Sequence, residues 1–265
     1  MHRLMLFLGM GTALLGTACV DAADTPLTAA AAQNDAAEVR RLLKAGRSAD
    51  EPGRGGMTAL MWAARHAAVD AMVTLLNAGA DPNRFDTRDA LGSPAGLSRW
   101  TPLLHAIHTQ RSAAVRVLLE HGADPNLAAA GGLTPLLMAA DDPDPTTVKL
   151  LLRSGANPRI EGRGGVTPLT QAVSGGALND LTDRPLLGGC RPATVRALLA
   201  YDPGLRMPQN FAGRLAVWWA RFHNCAEVLD LVGERRQAPE TSIASGSRPP
   251  DDPPRTPSTD GRFPR

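Results

Sequence analysis

Two histidines are spaced so that they could hold a metal ion. His105 and His108 lie three residues apart in a segment predicted to be helical, which places both imidazoles on one face. The residues that correspond to His105 in the neighbouring repeats, described below, are Trp62, Met138 and Gln171. That position is one where helices pack, so we expect a packed or hydrogen-bonded imidazole. We predict no metal and no cofactor, and a metal-binding or hydrolytic enzyme is the alternative.

An acidic run and two glycine-rich segments look like ligand sites when each is taken alone. Asp141, Asp142 and Asp144 could supply oxygen ligands to Ca²⁺, and the Gly-Arg-Gly-Gly segments at 53–56 and 162–165 could cradle a phosphate. Both glycine-rich segments occupy the same place in a repeating unit, which predicts a turn, and we expect the acidic run to be a solvated loop. The phosphate-loop, nucleophile-elbow, zinc-helix and dinucleotide signatures are missing from the sequence. We therefore predict that the protein is not an enzyme.

Composition excludes several classes of protein without choosing a function. The chain has 265 residues with 28 Lys and Arg against 26 Asp and Glu, and its net charge of +2 gives no reason to expect a nucleic-acid partner. Three cysteines are too few for a disulfide scaffold or a four-thiolate zinc site. The apolar run at 4–15 is too short for a permanent membrane span, so none is predicted.

The elements that must position these residues recur with a period of 33. Thr-Pro-Leu, or its variant Thr-Ala-Leu, begins at Thr25, Thr58, Thr101, Thr134 and Thr167, at intervals of 33, 43, 33 and 33 residues. Proline directly after threonine is typical of a helix N-terminus, because the first helical residue needs no N–H donor. A second apolar helix that ends in glycine follows each of the first four phrases. Neither helix can bury its apolar stripe alone, so the pattern predicts an all-α repeat solenoid of stacked units.

The pattern resembles the ankyrin repeat over roughly residues 25–236. The consensus of that family reads Thr-Pro-Leu-His-x-Ala-Ala, then a second helix, then Leu-Leu-x-x-Gly-Ala-Asp-x-Asn. In this chain Met61, Leu104, Leu137 and Thr170 replace the consensus histidine, so the hydrogen bonds of that histidine must be absent or supplied otherwise. The resemblance implies pairs of helices joined by hairpin loops, and a non-catalytic surface that binds a protein.

We divide the chain into a signal peptide, an array of about six units and a tail. Residues 1–23 have the basic start, apolar run and small-residue exit of an export signal. Residues 238–265 hold seven prolines and almost nothing apolar, which predicts a disordered tail rich in Pro and Ser. The array at 24–237 has degenerate first and last units and carries insertions at 84–100 and 174–191. The predicted repeats lie near 25–57, 58–100, 101–133, 134–166, 167–214 and 215–237.

The export signal predicts a periplasmic location. Leu-Gly-Thr-Ala-Cys at 15–19 resembles the lipobox of bacterial lipoproteins, but Gly16 stands where that box has leucine. We therefore expect cleavage after Ala22 or Ala23, which would remove Cys19. A lipid anchor at Cys19 is the alternative.

The other two cysteines are predicted to form a disulfide. When the helices of repeats five and six are aligned, Cys190 and Cys225 fall one residue apart. Stacked helices lie about 8–10 Å apart, slightly beyond the Cα–Cα limit of about 7 Å for a disulfide. The insertion before Cys190 can close that gap, so we expect the bond in an oxidising compartment, with two free buried thiols as the alternative.

The resemblance also implies which residues face a partner, because the hairpin tips and the outer part of each first helix line a groove in ankyrin arrays. The residues in those slots are Arg54, Met57, Arg65, His66, Trp100, His108, Thr109, Leu133, Asp141, Asp142, Arg163, Val166, Arg214, Phe222 and His223. The slot just before the threonine holds Met57, Trp100, Leu133 and Val166, which we expect to form an exposed apolar row. Trp100 is the strongest candidate in that row, and its packing against the insertion is the alternative. By contrast, Trp62, Trp218 and Trp219 are expected in the core.

Together these features predict a non-catalytic protein–protein interaction module of the bacterial periplasm. Its partner would be a periplasmic or envelope protein, and analogy with exported ankyrin proteins suggests an accessory or immunity role. The alternatives are an enzyme that uses His105, His108 and the repeat-five insertion, and a secreted effector.

Overall fold

The computed structural model describes residues 25–87, 99–176 and 189–234. The predicted signal peptide with Cys19, the predicted tail at 238–265 and the greater part of each insertion lie outside these ranges. The structural statements below concern the described residues.

Six pairs of helices and no strands make up the described part of the chain. The helices are α1 (Pro26–Ala32), α2 (Ala36–Lys44), α3 (Ala59–His66), α4 (Val69–Asn77), α5 (Pro102–His108), α6 (Ser112–Glu120), α7 (Pro135–Ala139), α8 (Thr146–Arg153), α9 (Pro168–Ser174), α10 (Pro192–Tyr201), α11 (Phe211–Phe222) and α12 (Ala226–Leu231). Short 3-10 turns stand at the tips of three hairpin loops, at Arg54–Gly56, Ala130–Gly132 and Arg163–Gly165.

The pairs stack into two parallel layers. The first helices pack in the order α1, α3, α5, α7, α9 and α11, and the second helices in the order α2, α4, α6, α8, α10 and α12. Ala63 and Ala64 are fully buried on α3, where small side chains let α1 and α5 approach closely. The predicted all-α repeat solenoid is confirmed.

Threonine caps the first helix of each of the first five repeats. The hydroxyl oxygen of Thr101, for example, accepts a hydrogen bond from the amide of Leu104 at 3.3 Å. In repeats one and five the hydroxyls of Thr28 and Thr170 also accept from the capping residue's own amide, at 3.0 and 2.7 Å. Thr28 and Thr170 stand in the slot of the consensus histidine, so a local capping box occupies that slot at both ends of the threonine series.

The first helix of the sixth repeat begins earlier than the sequence predicts. The expected start of the unit is residue 215, whereas α11 begins at Phe211 and is capped by Asn210. The side-chain oxygen of Asn210 accepts from the amide of Gly213 at 2.8 Å, and its side-chain amide donates to the carbonyl of Gly165 at 3.0 Å. Asn210 therefore starts the helix and fastens it to the preceding hairpin tip.

Asparagine side chains tie consecutive repeats together in the loops that follow the second helices. Asn126 donates to the carbonyl of Gly155 at 3.0 Å and accepts from the amide of Asn157 at 2.8 Å. Asn83 makes the same two bonds one repeat earlier, to the carbonyl of Gly122 and from the amide of Asp124. Each asparagine thus satisfies backbone groups left open at the end of the next repeat's second helix.

Candidate protein-binding surface

A row of polar side chains runs across repeats two to four. Its members stand seven and eight residues after the capping threonine, at the end of each first helix, and because α3, α5 and α7 lie side by side the positions form one row. We call this set the groove row. It consists of Arg65, His66, His108, Thr109, Asp141 and Asp142, which are exposed or half-buried.

Aromatic stacking holds the two imidazoles of the groove row. The His66 ring stacks on the Trp62 ring, with centroids 6.0 Å apart and planes 10° apart. The His108 ring meets the Trp100 ring edge-on at 4.9 Å. The ring of each histidine therefore packs against the ring of a buried tryptophan.

The acidic end of the groove row is anchored from both sides. The side-chain amide of Gln110 donates to the Asp142 carboxylate at 2.6 Å. From the other side, Arg191 donates to the main-chain carbonyl of Asp141 at 2.8 Å, and the Thr194 hydroxyl donates to that of Asp142 at 2.7 Å. These bonds join repeats three, four and five at one point, so the backbone of both aspartates and the Asp142 carboxylate are held in place.

The expectation of a solvated acidic loop is refined at Asp144, which is exposed and bonds to the first residue of α8. Its carboxylate accepts from the hydroxyl and the amide of Thr146, at 2.7 and 3.0 Å. These hydrogen bonds, with the hydroxyl first, lower the pKa of Asp144 below its usual value of 3.8. The carboxylate therefore stabilises the turn that leads into α8.

A buried hydrogen-bonded pair lies beneath the groove row in repeat three. His105 Nε2 is 3.2 Å from Asp86 Oδ2, and both side chains are 1% exposed. The other oxygen of Asp86 accepts from the amide of Trp100 at 2.8 Å. His105 is packed and hydrogen-bonded, as expected. No group of three or more His, Cys, Asp or Glu gathers into a metal-binding arrangement within the ranges described above.

The four apolar side chains expected to form an exposed row are buried. Met57, Trp100, Leu133 and Val166 are only 1 to 5% exposed. The carbonyl of each accepts a hydrogen bond that closes the base of its hairpin, from Gly53, Asp86, Ala129 and Gly162 respectively. Because that closure turns the side chains into the space between repeats, the predicted exposure of all four is wrong.

The remaining predicted residues lie outside the groove row as defined, although Phe222 and His223 take the slots of Arg65 and His66 in repeat six. Arg163 is exposed at a hairpin tip, and Arg214 is exposed on α11. Phe222 is 69% exposed at the end of α11, with half-buried His223 beside it. The side chain of Arg54 lies outside the described part of the structure.

Two of the three tryptophans expected in the core are only partly covered. Trp62 is buried, as predicted, whereas Trp218 and Trp219 on α11 are half-buried. The difference follows from position, because no further described repeat stacks on α11.

The predicted disulfide between Cys190 and Cys225 is confirmed. Their Cα atoms are 5.5 Å apart, within the bonding range. Cys190 is exposed just before α10, and Cys225 is buried at the start of α12. The bond links the end of the repeat-five insertion to the last repeat.

Sequence reasoning missed Arg191, Thr194 and Gln110, which hold the acidic end of the groove row. Arg191 is 6% exposed, although it stands at the end of an insertion where a solvated side chain is the usual expectation. A buried arginine in such a place leaves no signal in the sequence, because its carbonyl acceptor is 50 residues away.

Comparison with known proteins bears on the repeats. A family model described as ankyrin repeats matches the chain in three copies, over residues 6–86 and 89–161. No curated protein matches the sequence. Among the described helices, none is both long and apolar enough to cross a membrane.

Proposed function

The chain belongs to the ankyrin-repeat family, and from that premise we propose that it is a non-catalytic module of the periplasm that binds a protein through the groove row. The observation that carries the proposal is the groove row itself, six side chains at equivalent positions of three stacked repeats. Such a surface changes its specificity by substitution without changing the fold.

The groove row has a charge gradient that describes its partner. Arg65 and His66 stand at the repeat-two end, and Asp141 and Asp142 stand at the repeat-four end, with His108 and Thr109 between them. Charges of opposite sign at the two ends orient a partner and discriminate against a reversed one. We propose a partner that presents an acidic group to repeat two and a basic group to repeat four.

The periplasmic part of the proposal is supported by the sequence of residues 1–23, which has the organisation of an export signal. The disulfide agrees with it, since such bonds persist in oxidising compartments. The accessory or immunity role suggested by family analogy would place the partner among periplasmic enzymes or incoming toxins.

A site-specific photo-crosslinking experiment tests the groove row. A photoreactive residue is placed at Thr109 in one variant and at Arg116, exposed on α6 in the other helix layer, in a matched control. Cells expressing each variant are irradiated and adducts are identified by mass spectrometry. We expect an adduct from position 109 that is competed by excess unlabelled protein and is missing from position 116.

A charge-reversal variant separates recognition from mere proximity. Arg65→Glu removes the basic end of the groove row, while Arg116→Glu makes the same charge change elsewhere. We expect the first to weaken the crosslink about tenfold at low salt and the second to leave it unchanged. Identical adducts from positions 109 and 116, or equal effects of the two reversals, would exclude the groove row as the binding surface.

A further inference from the structure

An aromatic patch covers one side of the last first-layer helix. The patch consists of Trp218, Trp219 and Phe222 on α11. The Phe222 ring stacks on the Trp218 ring, with centroids 5.5 Å apart and planes 17° apart, and it lies 6.2 Å from the Trp219 ring. Phe222 is the most exposed large apolar side chain in the described part of the chain, at 69%.

Two of the three patch positions are buried in the interior repeats, whereas Phe222 takes the slot of Arg65 and His108 in the groove row. Ala67, Gln110 and Asn224 are the left-handed turn residues between paired helices, and they align repeats two, three and six. By that alignment Trp218 corresponds to Met61, and Trp219 corresponds to Trp62, both of which are buried.

Terminal units of repeat arrays normally carry a polar outer face, because nothing stacks on them. Here four of the ten aromatic side chains of the whole protein stand on one helix of that unit, and three of the four form the patch. A cluster of exposed rings in a chain so poor in aromatics indicates a covering element.

The position of the C-terminal segment points to that element. Arg221, next to Phe222, donates to the main-chain carbonyl of Glu234 at 3.1 Å and lies 3.5 Å from its carboxylate. The last described residue is thus fastened beside the patch, and 31 residues follow it.

The sequence of that segment suits an aromatic surface. Residues 248–257 read Arg-Pro-Pro-Asp-Asp-Pro-Pro-Arg-Thr-Pro. Paired prolines favour the polyproline II conformation, whose ordering cost is low and which binds to aromatic-lined surfaces. Asp251 and Asp252 stand between the two proline pairs, and Arg214 and Arg221 stand on α11 at a spacing that places them on one side of the helix. The segment has no net charge, because Arg248 and Arg255 balance its two carboxylates, so its match to the patch rests on its prolines and its position.

We propose that residues 248–257 bind in cis to the aromatic patch and take the place of a seventh repeat. Thirteen residues separate Glu234 from Arg248, and a coil of that length spans about 20 Å on average, enough to cross a single helix. A connection this short gives an effective concentration in the millimolar range, so an intrinsic Kd of about 0.1 mM yields about ten bound molecules for each open one.

Hydroxyl-radical footprinting of the full chain tests the proposal. The test variant replaces Pro249, Pro250, Pro253 and Pro254 by alanine, and the control variant replaces Pro239 and Pro264, which lie in the same tail outside the proposed segment. Oxidation of Trp218 and Phe222 is measured against Tyr201, which is 51% exposed at the end of α10. Circular dichroism of each variant checks that the array is intact.

In the four-proline variant we expect oxidation of Trp218 and Phe222 to rise at least about threefold relative to Tyr201, with no change in the control variant. Equal oxidation of the patch in wild type and the four-proline variant overturns the proposal. The proposal is also overturned if protection of Trp218 and Phe222 from oxidation rises with protein concentration in the wild type and in the four-proline variant alike. A second copy of the chain then covers the patch. The four-proline variant changes no residue of the groove row, which stands at the ends of α3, α5 and α7. Its outcome therefore does not depend on partner binding there.

Discussion

Loss of the Cys190–Cys225 disulfide is expected to destabilise the last two repeats and to leave the first repeats unchanged. The bond closes a loop with a sequence separation of 35 residues, which contains α10 and α11 and ends at the residue before α12. Because each repeat contacts only its neighbours, an added constraint at one end of the array is felt mainly at that end.

The size of the effect follows from the loop length. In the chain-entropy model, closing a loop of about 35 residues removes about 12.7 cal/mol/K from the unfolded ensemble, or about 3.8 kcal/mol at 25 °C. That free energy corresponds to a factor of about 600 in the local opening equilibrium. It is an upper value, since residual structure in the unfolded chain reduces it.

Native-state hydrogen exchange measures the effect repeat by repeat. The exposed cysteine is the better site to change, because Cys190→Ala leaves buried Cys225 in its place and creates no cavity. We expect amide protection in α11 and α12 to fall by up to about 600-fold in this variant, and equally in the wild type treated with dithiothreitol. Amide protection in α3 and α4 should stay within about twofold of the wild-type value, which is about the precision of the assay.

Two results would refute this reasoning. A fall in protection of less than about threefold in α12 would show that native packing alone holds the last repeat. A fall of the same size in α3 and α4 would show that the array unfolds as a single unit, so that no local constraint exists.

Three further predictions concern single side chains. Asn126→Ala removes two bonds between repeats and should lower the free energy of unfolding by about 1–2 kcal/mol in urea titrations, whereas Asn77→Ala, exposed on α4, should cost less than about 0.5 kcal/mol. Ala67→Gly should raise it by about 0.5–1 kcal/mol, because Ala67 has a φ of 55° that only glycine adopts without strain. The hydrogen bond from Arg159 lowers the pKa of Asp202, so any stability from this pair is present at neutral pH and is lost as pH falls. The Tm difference between Arg159→Ala and the wild type should therefore shrink as pH falls below 3.8, and a difference that stays constant there would contradict the pairing.

The repeating unit could be predicted from sequence because its signals are local. A threonine cap, a proline at the first helical position and a glycine at the end of the second helix each act within one turn of the chain. The threonine phrase occurs five times in the same register, and neither helix of a pair can bury its apolar stripe alone. The repeats must therefore stack in chain order. The disulfide followed from the same alignment, which placed Cys190 and Cys225 in neighbouring repeats.

The direction of side chains in the hairpins could not be predicted in this way. Met57, Trp100, Leu133 and Val166 stand in one slot, and alignment gives the slot without the rotation of the backbone there. The carbonyl of each residue closes its hairpin, which leaves the side chain pointing between repeats. Trp100 is therefore a poor probe of partner binding, because Trp100→Ala would open a cavity beside the buried pair of Asp86 and His105.

Sequence alignment predicts helix boundaries less well at the ends of the array than in its interior. The sixth repeat shows why. Counting back from Asn224 predicts a unit that starts at residue 215, but a helix begins wherever a side chain can satisfy its first amides, and Asn210 does so five residues earlier. Interior repeats constrain both faces of each helix, so sequence and position agree there. A terminal helix has one face without a neighbour, and only the chemistry of Trp218 and Phe222 indicates what covers it.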